Sequence, residues 1–440
     1  MRIEGARVLI VGMARSGLAV ARLLAARGAH VCATDLKAEL PAELAAMGIT
    51  FRPQAEESFA GYDLIVLSPG VAADLHEVEA AQRRGTPVVG EVEVASWFLR
   101  GPIIGVTGSN GKTTTTSMIG HILKECGVAA QVGGNIGTPL AAMVDSSRDD
   151  QWNVVELSSF QLETIVQFRA KVALVMNVTP DHLDRHGTFE RYAAAKGRLL
   201  ETQTADDWAI LNADDRACLA YAGAARSRVM WFSSTRGVTP GLWLEDGWLW
   251  MDGEKLMEGA SVPLRGLHNL ENAMAAAGAA YLAGADREDI ASAIRTFPGV
   301  EHRLEYVRTV RGADYYNDSK ATNVDASLKA IAAFAGGLWI ILGGKDKESD
   351  YTPLRAPLFA RSRGALLVGA AAEKIERQLG GVVPVYRCGD MQTAVTQAHR
   401  LARTGDTVLL APACASFDQF DNYEHRGRVF KGLVAELSEG

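Results

Sequence analysis

The sequence predicts an α/β protein with three domains in series, each built on a largely parallel β-sheet covered by helices. Apolar runs typical of buried strands alternate with helical stretches along nearly the whole chain. The 440 residues also exceed what one hydrophobic core usually holds, because domains commonly contain about 100–200 residues. We expect domains at residues 1–95, 96–298 and 299–440, of which the first and third are Rossmann-like.

The composition narrows the function classes. Hydrophobic residues make up 48% and charged residues 22%, as in ordinary globular enzymes. The net charge of −7 gives no general attraction to nucleic acid. The longest uncharged apolar stretch, residues 273–285, is shorter than the roughly 18 residues that cross a bilayer, so it predicts a buried helix and no membrane insertion. With no signal-like segment and five scattered cysteines, we expect a cytoplasmic protein without disulfides.

The first domain begins with a strand–helix–strand unit. The strand ARVLIVG leads into the turn GMARSG, and the second strand, AHVCATD, ends at Asp35. In the dinucleotide-binding pattern the middle glycine lets the backbone approach a pyrophosphate, but here Ala14 stands at that position. This departure favours a uridine nucleotide or a purely structural unit over NAD.

The second and third domains continue the alternation of strands and helices. In the second, NVVEL, VALVMNV and DWAILN predict a parallel sheet, and Asp246-Gly247 predicts a hairpin in a small additional sheet. Trp243, Trp248 and Trp250 in that hairpin fit either a stacking platform or, as we favour, aromatic cross-strand pairs. In the third, LWIILGG, GALLVG and DTVLLAP predict another open sheet.

A phosphate-binding loop is predicted in IIGVTGSNGKTTTTSMIGHIL. Glycines allow backbone N–H groups to surround phosphate oxygens, and the following helix adds the positive end of its dipole. Lys112 would reach the β- and γ-phosphates, and Thr113 or Thr114 would bind Mg²⁺. The match to the usual P-loop pattern is partial, because Val106 stands where the first glycine is required.

Acidic and polar residues follow the neighbouring predicted strands. Glu156 ends a buried strand, where α/β proteins bind ligands, and is a candidate Mg²⁺ ligand. The next strand is followed by a polar cluster whose members the spacing does not rank: Asn177, Asp181, His182, Asp184 and His186. Lys196 falls on a predicted helix, where a solvated lysine is the favoured interpretation from the residues alone.

A series of motifs spread across nearly the whole chain resembles the Mur ligases in the order and spacing of the motifs. The motifs are TGSNGKTTT, GGNIGTPL, VVELSSFQLE, NVTPDHLDRHG, YAAAKGRL, GLHNLENAMAA, HRLE, NDSKATN and LAPACASFDQF. Three of them resemble the branch that adds D-glutamate to UDP-N-acetylmuramoyl-L-alanine. The resemblance implies ATP-dependent amide formation through an acyl phosphate, giving ADP and phosphate, in peptidoglycan precursor synthesis.

The resemblance also implies roles for individual residues. Glu156 and His182 would bind Mg²⁺, and Lys196 would carry a carbamate, formed from carbon dioxide or bicarbonate, that binds a second ion. Lys112, His182 and Lys196 would be the catalytic residues. The implied ATP-binding residues are Gly108, Ser109, Asn110, Gly111, Lys112, Thr113, Thr114, Asn269, Asn272, Arg303 and Asp318. The implied substrate-binding residues are Ser16, Asp35, Lys37, Asn135, Ser158, Gln161, Lys320, Thr322, Lys347, Ser416 and Tyr423.

Several positions depart from the family pattern. Arg15 stands where an apolar residue is expected, Lys37 where an arginine is common, and Tyr423 where phenylalanine is expected. The segment GGKDKESD offers both Lys345 and Lys347 to the amino acid. A folylpolyglutamate-type synthetase, a nucleotide-dependent switch and an NAD oxidoreductase are the alternatives, and we expect a monomer.

Overall fold

The computed structural model describes residues 2–36, 42–55 and 59–438. The chain divides into two compact units, Met1–Ser261 with Glu271–Phe297 and Val262–Leu270 with Pro298–Gly440. The first unit contains two β-sheets and the second contains one. The predicted α/β class is confirmed, and the five cysteines are free thiols.

The first sheet is parallel and has the order β3-β2-β1-β4-β5. Its strands are β1 Arg7–Val11, β2 His30–Asp35, β3 Thr50–Pro53, β4 Leu64–Leu67 and β5 Val88–Gly90. Its helices are α1 Arg15–Ala26, α2 Ala42–Ala46, α3 His76–Arg83 and α4 Glu91–Ser96. The chain order reverses between β1 and β4, and ligands of open α/β sheets bind at such a switch point. The turn that follows β1 lies there.

The central sheet has nine strands in the order β14-β13-β12-β11-β10-β9-β6-β8-β7. Its strands are β6 Ile103–Thr107, β7 Ala130–Gly134, β8 Trp152–Glu156, β9 Val172–Val175, β10 Trp208–Asn212, β11 Arg228–Ser233, β12 Gly241–Glu245, β13 Trp248–Met251 and β14 Glu254–Glu258. Buried strand β6 lies between β8 and β9, so its carboxyl end opens beside theirs. This position brings the predicted phosphate loop next to the predicted acid.

The predicted hairpin is present, but it does not form a separate sheet. β12 pairs in parallel with β11, and β13 and β14 then add antiparallel strands, so the hairpin extends the edge of the central sheet. Trp243 and Trp250 are cross-strand partners, and their stacked rings lie 5.9 Å apart. The cross-strand interpretation of these tryptophans is therefore confirmed.

The helices of the central region cover its sheet. They are α5 Lys112–Glu125, α6 Leu140–Met143, α7 Ser159–Leu162, α8 Leu183–His186, α9 Phe189–Gly197, α10 Arg216–Ala224, α11 Leu267–Leu282 and α12 Arg287–Arg295. The alanine-rich stretch predicted to be a buried helix lies largely in α11, where seven consecutive residues from Ala273 include five fully buried alanines. Among the described residues no helix is long and apolar enough to cross a membrane.

The third sheet has the order β15-β16-β20-β17-β18-β19, and only the β15–β16 pair is antiparallel. Its strands are β15 Glu305–Val310, β16 Ala313–Asn317, β17 Leu338–Gly343, β18 Ser362–Val368, β19 Val385–Gly389 and β20 Thr407–Leu410. Its helices are α13 Val324–Ala332, α14 Arg355–Arg361, α15 Ala372–Leu379, α16 Met391–Leu401 and α17 Tyr423–Ala435. Buried apolar clusters pack against both faces of this sheet.

Candidate nucleotide and metal site

The loop between β6 and α5 has backbone geometry that two of its glycines make possible. Gly108 and Gly111 have φ angles of 148° and 89°, in the region that side chains disfavour. A Cβ at Gly108 would lie 2.9 Å from Cβ of Met176, and one at Gly111 would overlap Oδ1 of Asn272. α5 begins at Lys112, so the loop leads directly into the amino terminus of a 14-residue helix.

The end of β9 holds this loop in place. The Asn177 side chain accepts a hydrogen bond from the Asn110 amide at 2.9 Å and donates one to the Asn110 carbonyl at 3.1 Å. Oγ of Ser109, a buried residue, accepts a hydrogen bond from the Thr179 amide and lies 2.9 Å from the Tyr192 hydroxyl. These contacts assign Asn177 and the Ser109 side chain to shaping the loop.

Two lysines converge on one carbonyl oxygen of the loop. Nζ of Lys112 and Nζ of Lys196 each donate to the Gly108 carbonyl at 2.8 Å. Lys196 is only 1% exposed, so the interpretation of a solvated lysine is wrong. The lysine is buried because the face of α9 that carries it packs against the loop. Burial, together with repulsion from Lys112, lowers the pKa of Lys196 well below its usual value.

Glu156 at the end of β8 has one satisfied and one unsatisfied carboxylate oxygen. Asn135 donates to Oε1 at 2.8 Å, whereas Oε2 is buried without a hydrogen-bond partner among the described residues. A buried carboxylate oxygen without a donor is costly unless a cation or water satisfies it. The residues present therefore fit a bound Mg²⁺ ion, which prefers carboxylate oxygen.

The polar cluster after β9 divides between surface and core. His182 has a left-handed backbone conformation, with φ 52°, and its side chain is 43% exposed. His186 is buried, with Nε2 3.0 Å from Oγ of Ser159 and Nδ1 3.2 Å from Oε1 of Glu163. Both ring nitrogens of His186 are thus engaged, which leaves His182 as the accessible histidine; the Asp184 side chain lies outside the described part of the chain.

Other predicted site residues near the loop differ in burial and in hydrogen bonding. Thr113 is half-buried, whereas Thr114 is buried. Ser158 and Gln161 form a reciprocal capping box at the start of α7, with Oε1 of Gln161 accepting from the Ser158 amide at 2.9 Å. The capping box engages Oγ of Ser158 and Oε1 of Gln161 and so fixes the direction of both side chains.

The turn after β1 is held by residues of two neighbouring segments. Asp35 accepts a hydrogen bond from the Met13 amide at 2.6 Å, so the end of β2 braces the turn. Ser16 lies half-buried in the first turn of α1. Arg15 donates to the Gly137 carbonyl in the loop that also holds Asn135. The departure at Arg15 thus has a structural role, and Lys37 lies outside the described residues.

The implied ATP-binding residues outside the loop lie in both units. Asn272, in the first unit, is buried with Oδ1 3.3 Å from Oγ1 of Thr115. Asn269, in the second unit, is buried and donates to the Arg265 carbonyl at 2.7 Å. Burial raises the pKa of Asp318 to about 7, although Arg303 and a backbone hydrogen bond from Leu304 oppose the shift.

In the second unit, a buried arginine joins the segments that carry the implied amino-acid site. Arg426 is 1% exposed and donates to the Ser319 side chain and carbonyl and to the carbonyls of Cys414 and Ala415. It thereby links the neighbours of Lys320, Ser416 and Tyr423. Nζ of Lys320 lies 3.7 Å from the Tyr423 ring centre, and the Thr322 amide donates to the Lys320 carbonyl. Arg426 could not be identified from the sequence, because its role depends on its burial.

Three family models match the chain in succession. They are a MurD-like Mur ligase N-terminal domain at residues 6–90, a Mur ligase middle domain at 106–280 and a Mur ligase glutamate ligase domain at 302–414. Together they match most of the chain, and they include the turn after β1, the phosphate loop and the Arg303 region.

Relatives of similar length share much of the sequence. A UDP-N-acetylmuramoylalanine–D-glutamate ligase of Solibacter usitatus is 59% identical over 99% of both chains. One of Acidobacterium capsulatum is 49% identical, over 99% of this chain and 97% of the relative. Among solved structures, a MurF ligase from Thermotoga maritima in complex with ADP has a TM-score of 0.63 at 16% identity, over 98% of this chain and 96% of that chain. At this low identity the structural similarity concerns the fold.

Proposed function

Because this chain belongs to the Mur ligase family, whose members carry out ATP-dependent peptide ligation in peptidoglycan precursor synthesis, we propose that it adds D-glutamate to UDP-N-acetylmuramoyl-L-alanine. The observation that carries this proposal is the convergence of Lys112, Lys196 and Glu156 around the loop after β6. A glycine-containing loop at a helix amino terminus, a lysine beside it and a buried acid that can hold Mg²⁺ are groups that stabilise the charge of a phosphoryl group during its transfer from ATP.

The proposed reaction has two steps. The carboxylate of the L-alanine residue attacks the γ-phosphorus of ATP, which forms an acyl phosphate and releases ADP. The amine of D-glutamate, once deprotonated, then attacks the acyl carbon, and phosphate leaves. The Lys112 ammonium and the backbone N–H groups at the start of α5 stabilise the charge on the transferred phosphoryl group.

The metal-binding residues in this proposal are Glu156, His182 and Thr113, with Lys196 as a carbamate beside a second Mg²⁺ ion. Bound there, Mg²⁺ supplies positive charge that polarises phosphoryl oxygens. The unsatisfied Oε2 of Glu156 supports this assignment. Asn135 holds the other oxygen and so fixes the direction in which Oε2 points.

The environment of Lys196 favours carbamate formation. A lysine nitrogen attacks carbon dioxide only as the neutral amine, and it loses a proton as the N–C bond forms. Burial and the nearby Lys112 ammonium lower the pKa of Lys196 well below its usual value, which favours the neutral amine. Incubation with ¹³C-bicarbonate should therefore give a carbamate NMR signal that Lys196→Met lacks, while depletion of carbon dioxide should lower activity reversibly. A signal that persists in Lys196→Met would assign the carbamate to another lysine.

Two further sites complete the proposal. The uridine diphosphate end is held at the turn after β1 by Ser16 and Asp35, with Lys37 on the following segment. D-Glutamate is held in the second unit by Lys320, Thr322, Lys347, Ser416 and Tyr423. Because UDP-linked precursors and ATP are cytoplasmic compounds, the proposed reaction takes place in the cytoplasm, and the proposed active form is a monomer.

Isotope transfer tests the proposed chemistry. UDP-N-acetylmuramoyl-L-alanine labelled with ¹⁸O in its carboxylate is incubated with ATP and D-glutamate, and the phosphate is analysed by mass spectrometry. The acyl phosphate route transfers one ¹⁸O atom to each phosphate released. Label in AMP would indicate an acyl adenylate, and unlabelled phosphate would indicate hydrolysis of ATP without acyl transfer. Either result would overturn the proposed mechanism.

A further inference from the structure

The loop that follows β17 presents alternate residues to opposite sides. Lys345 and Lys347 are exposed, whereas the Asp346 side chain between them is turned towards the protein. Oδ1 of Asp346 accepts hydrogen bonds from the Tyr351 hydroxyl at 2.8 Å and from the Ser349 amide at 3.2 Å. The direction of the Asp346 side chain is therefore fixed within its own loop.

Lys374 on α15 engages the other oxygen of Asp346. Its Nζ lies 2.7 Å from Oδ2 in a partly buried ion pair, in which both side chains are less than a third exposed. By contrast, the ammonium groups of Lys345 and Lys347 have no ion pair or hydrogen bond within the described part of the chain. Asp346, which adjoins both lysines in sequence, is thus paired with a third lysine, whereas the exposed Glu348 adjoins Lys347 alone.

The loop is also tied to the segment that carries Ser416. The Lys345 amide donates to the Ala415 carbonyl at 2.9 Å, in an isolated antiparallel bridge. The fully buried Tyr351 hydroxyl lies 3.0 Å from Sγ of Cys414 as well as bonding to Asp346. Asp346 and Tyr351 therefore connect two chain segments that the proposed function assigns to D-glutamate.

We propose that the Asp346–Lys374 pair is a positioning device for the amino-acid substrate, which keeps the Lys345 and Lys347 ammonium groups available to its carboxylates. This inference rests on the proposed function. Asp346 adjoins both lysines, and without Lys374 its charge is no longer balanced, so it attracts both ammonium groups and competes with the substrate for them. Opposite charges on neighbouring residues attract each other even near the surface, although weakly. The pair thus affects amino-acid binding through Lys345 and Lys347, and it does not contact the substrate itself.

Steady-state kinetics of four variants tests this inference. Lys374→Met should raise the KM for D-glutamate about fivefold, which corresponds to roughly 1 kcal/mol. The kcat and the KM values for ATP and the UDP-linked substrate should stay within about twofold of wild type. Lys374→Arg should restore the wild-type KM, because it keeps the charge. Asp346→Asn combined with Lys374→Met should also return it towards wild type, because asparagine keeps an acceptor for Tyr351 without the competing charge. Glu376→Gln is the matched control, since it removes the exposed ion pair with Arg387 from the same helix.

Three results would overturn the inference. The first is an unchanged KM for D-glutamate in Lys374→Met. The second is a loss that raises all three KM values together and persists in the double variant, since the loop would then have collapsed. The third is that the wild-type protein does not use D-glutamate. This result would overturn the proposed function together with this inference, and it would be seen in the wild type before any variant is compared.

Discussion

Two glutamates of the first unit are buried to almost the same degree but differ in their hydrogen bonds. Glu93 is fully buried, and its two oxygens accept hydrogen bonds from the Trp97 indole and from the backbone amides of Val166, Gln167 and Phe168, all at 2.8–2.9 Å. Glu156 is 2% exposed, and its Oε2 has no hydrogen-bond partner among the described residues. The first glutamate has the partners of a structural residue, and the second those of a ligand-binding residue.

Substitution by glutamine should therefore change stability in opposite directions. Glu156→Gln removes a buried charge whose unsatisfied oxygen costs about 1–3 kcal/mol, so the metal-free protein should gain about 1 kcal/mol in its free energy of unfolding. Glu93→Gln keeps one acceptor oxygen and turns an NH₂ group towards two N–H donors. Hydrogen bonds to charged groups contribute about 1.5–3 kcal/mol each, so this variant should lose about 3 kcal/mol.

Urea unfolding measured by tryptophan fluorescence checks both values, first with EDTA and then with ADP and Mg²⁺. Wild type and Glu93→Gln should gain stability from ADP and Mg²⁺, because a ligand that binds only the folded state stabilises it. Glu156→Gln should gain much less from Mg²⁺. The reasoning would be refuted if Glu156→Gln lost more than about 1 kcal/mol without metal and still gained the full stabilisation with it.

Three further variants test other features of the structure. Gly111→Ala should raise the KM for ATP more than about tenfold, because φ is 89° and the new methyl group would overlap Asn272; unchanged ATP kinetics would contradict the loop geometry. Burial raises the pKa of Glu91 from 4.5 to about 7, so this group should cost the wild type up to about 3 kcal/mol as pH rises from 4.5 through 7, and Glu91→Gln should remove that contribution, while leaving that of Asp318, in urea titrations at several pH values. Arg426→Met should lower the free energy of unfolding by about 3 kcal/mol in the same assay, because it leaves buried acceptors without a donor; a loss below 1 kcal/mol would contradict the linking role of Arg426.

Much of the fold could be predicted from local patterns. Apolar runs such as those of β6 and β8 are short and end at glycine or a polar residue, which identifies buried parallel strands and the edge at which ligands bind. The hairpin at Asp246-Gly247 was also predicted from its turn residues. Its attachment to β11 was not, because strand pairing between distant segments depends on tertiary contacts. The boundary at residues 95 and 96 stays a prediction, since both flanking sheets lie in one compact unit.

The candidate site could be predicted less completely from local sequence patterns. Lys196 has an ordinary helical context, and its burial arises only when α9 packs against a loop 88 residues earlier in the chain. His182 and His186 lie four residues apart in one motif, yet one is accessible and the other is held by Ser159 and Glu163. Arg426 and Asn177 support neighbouring segments through hydrogen bonds to backbone atoms, which leave no pattern in sequence.

The central claim is amide formation with D-glutamate, and one measurement tests it most directly. Phosphate release from ATP is followed with UDP-N-acetylmuramoyl-L-alanine as acceptor, while D-glutamate, L-glutamate, L-lysine and meso-diaminopimelate are offered separately. We expect release coupled to amide product with D-glutamate alone. Release with a different amino acid and none with D-glutamate would keep the ligase chemistry but contradict the proposed amino-acid site, and no release with any of the four would contradict the account as a whole.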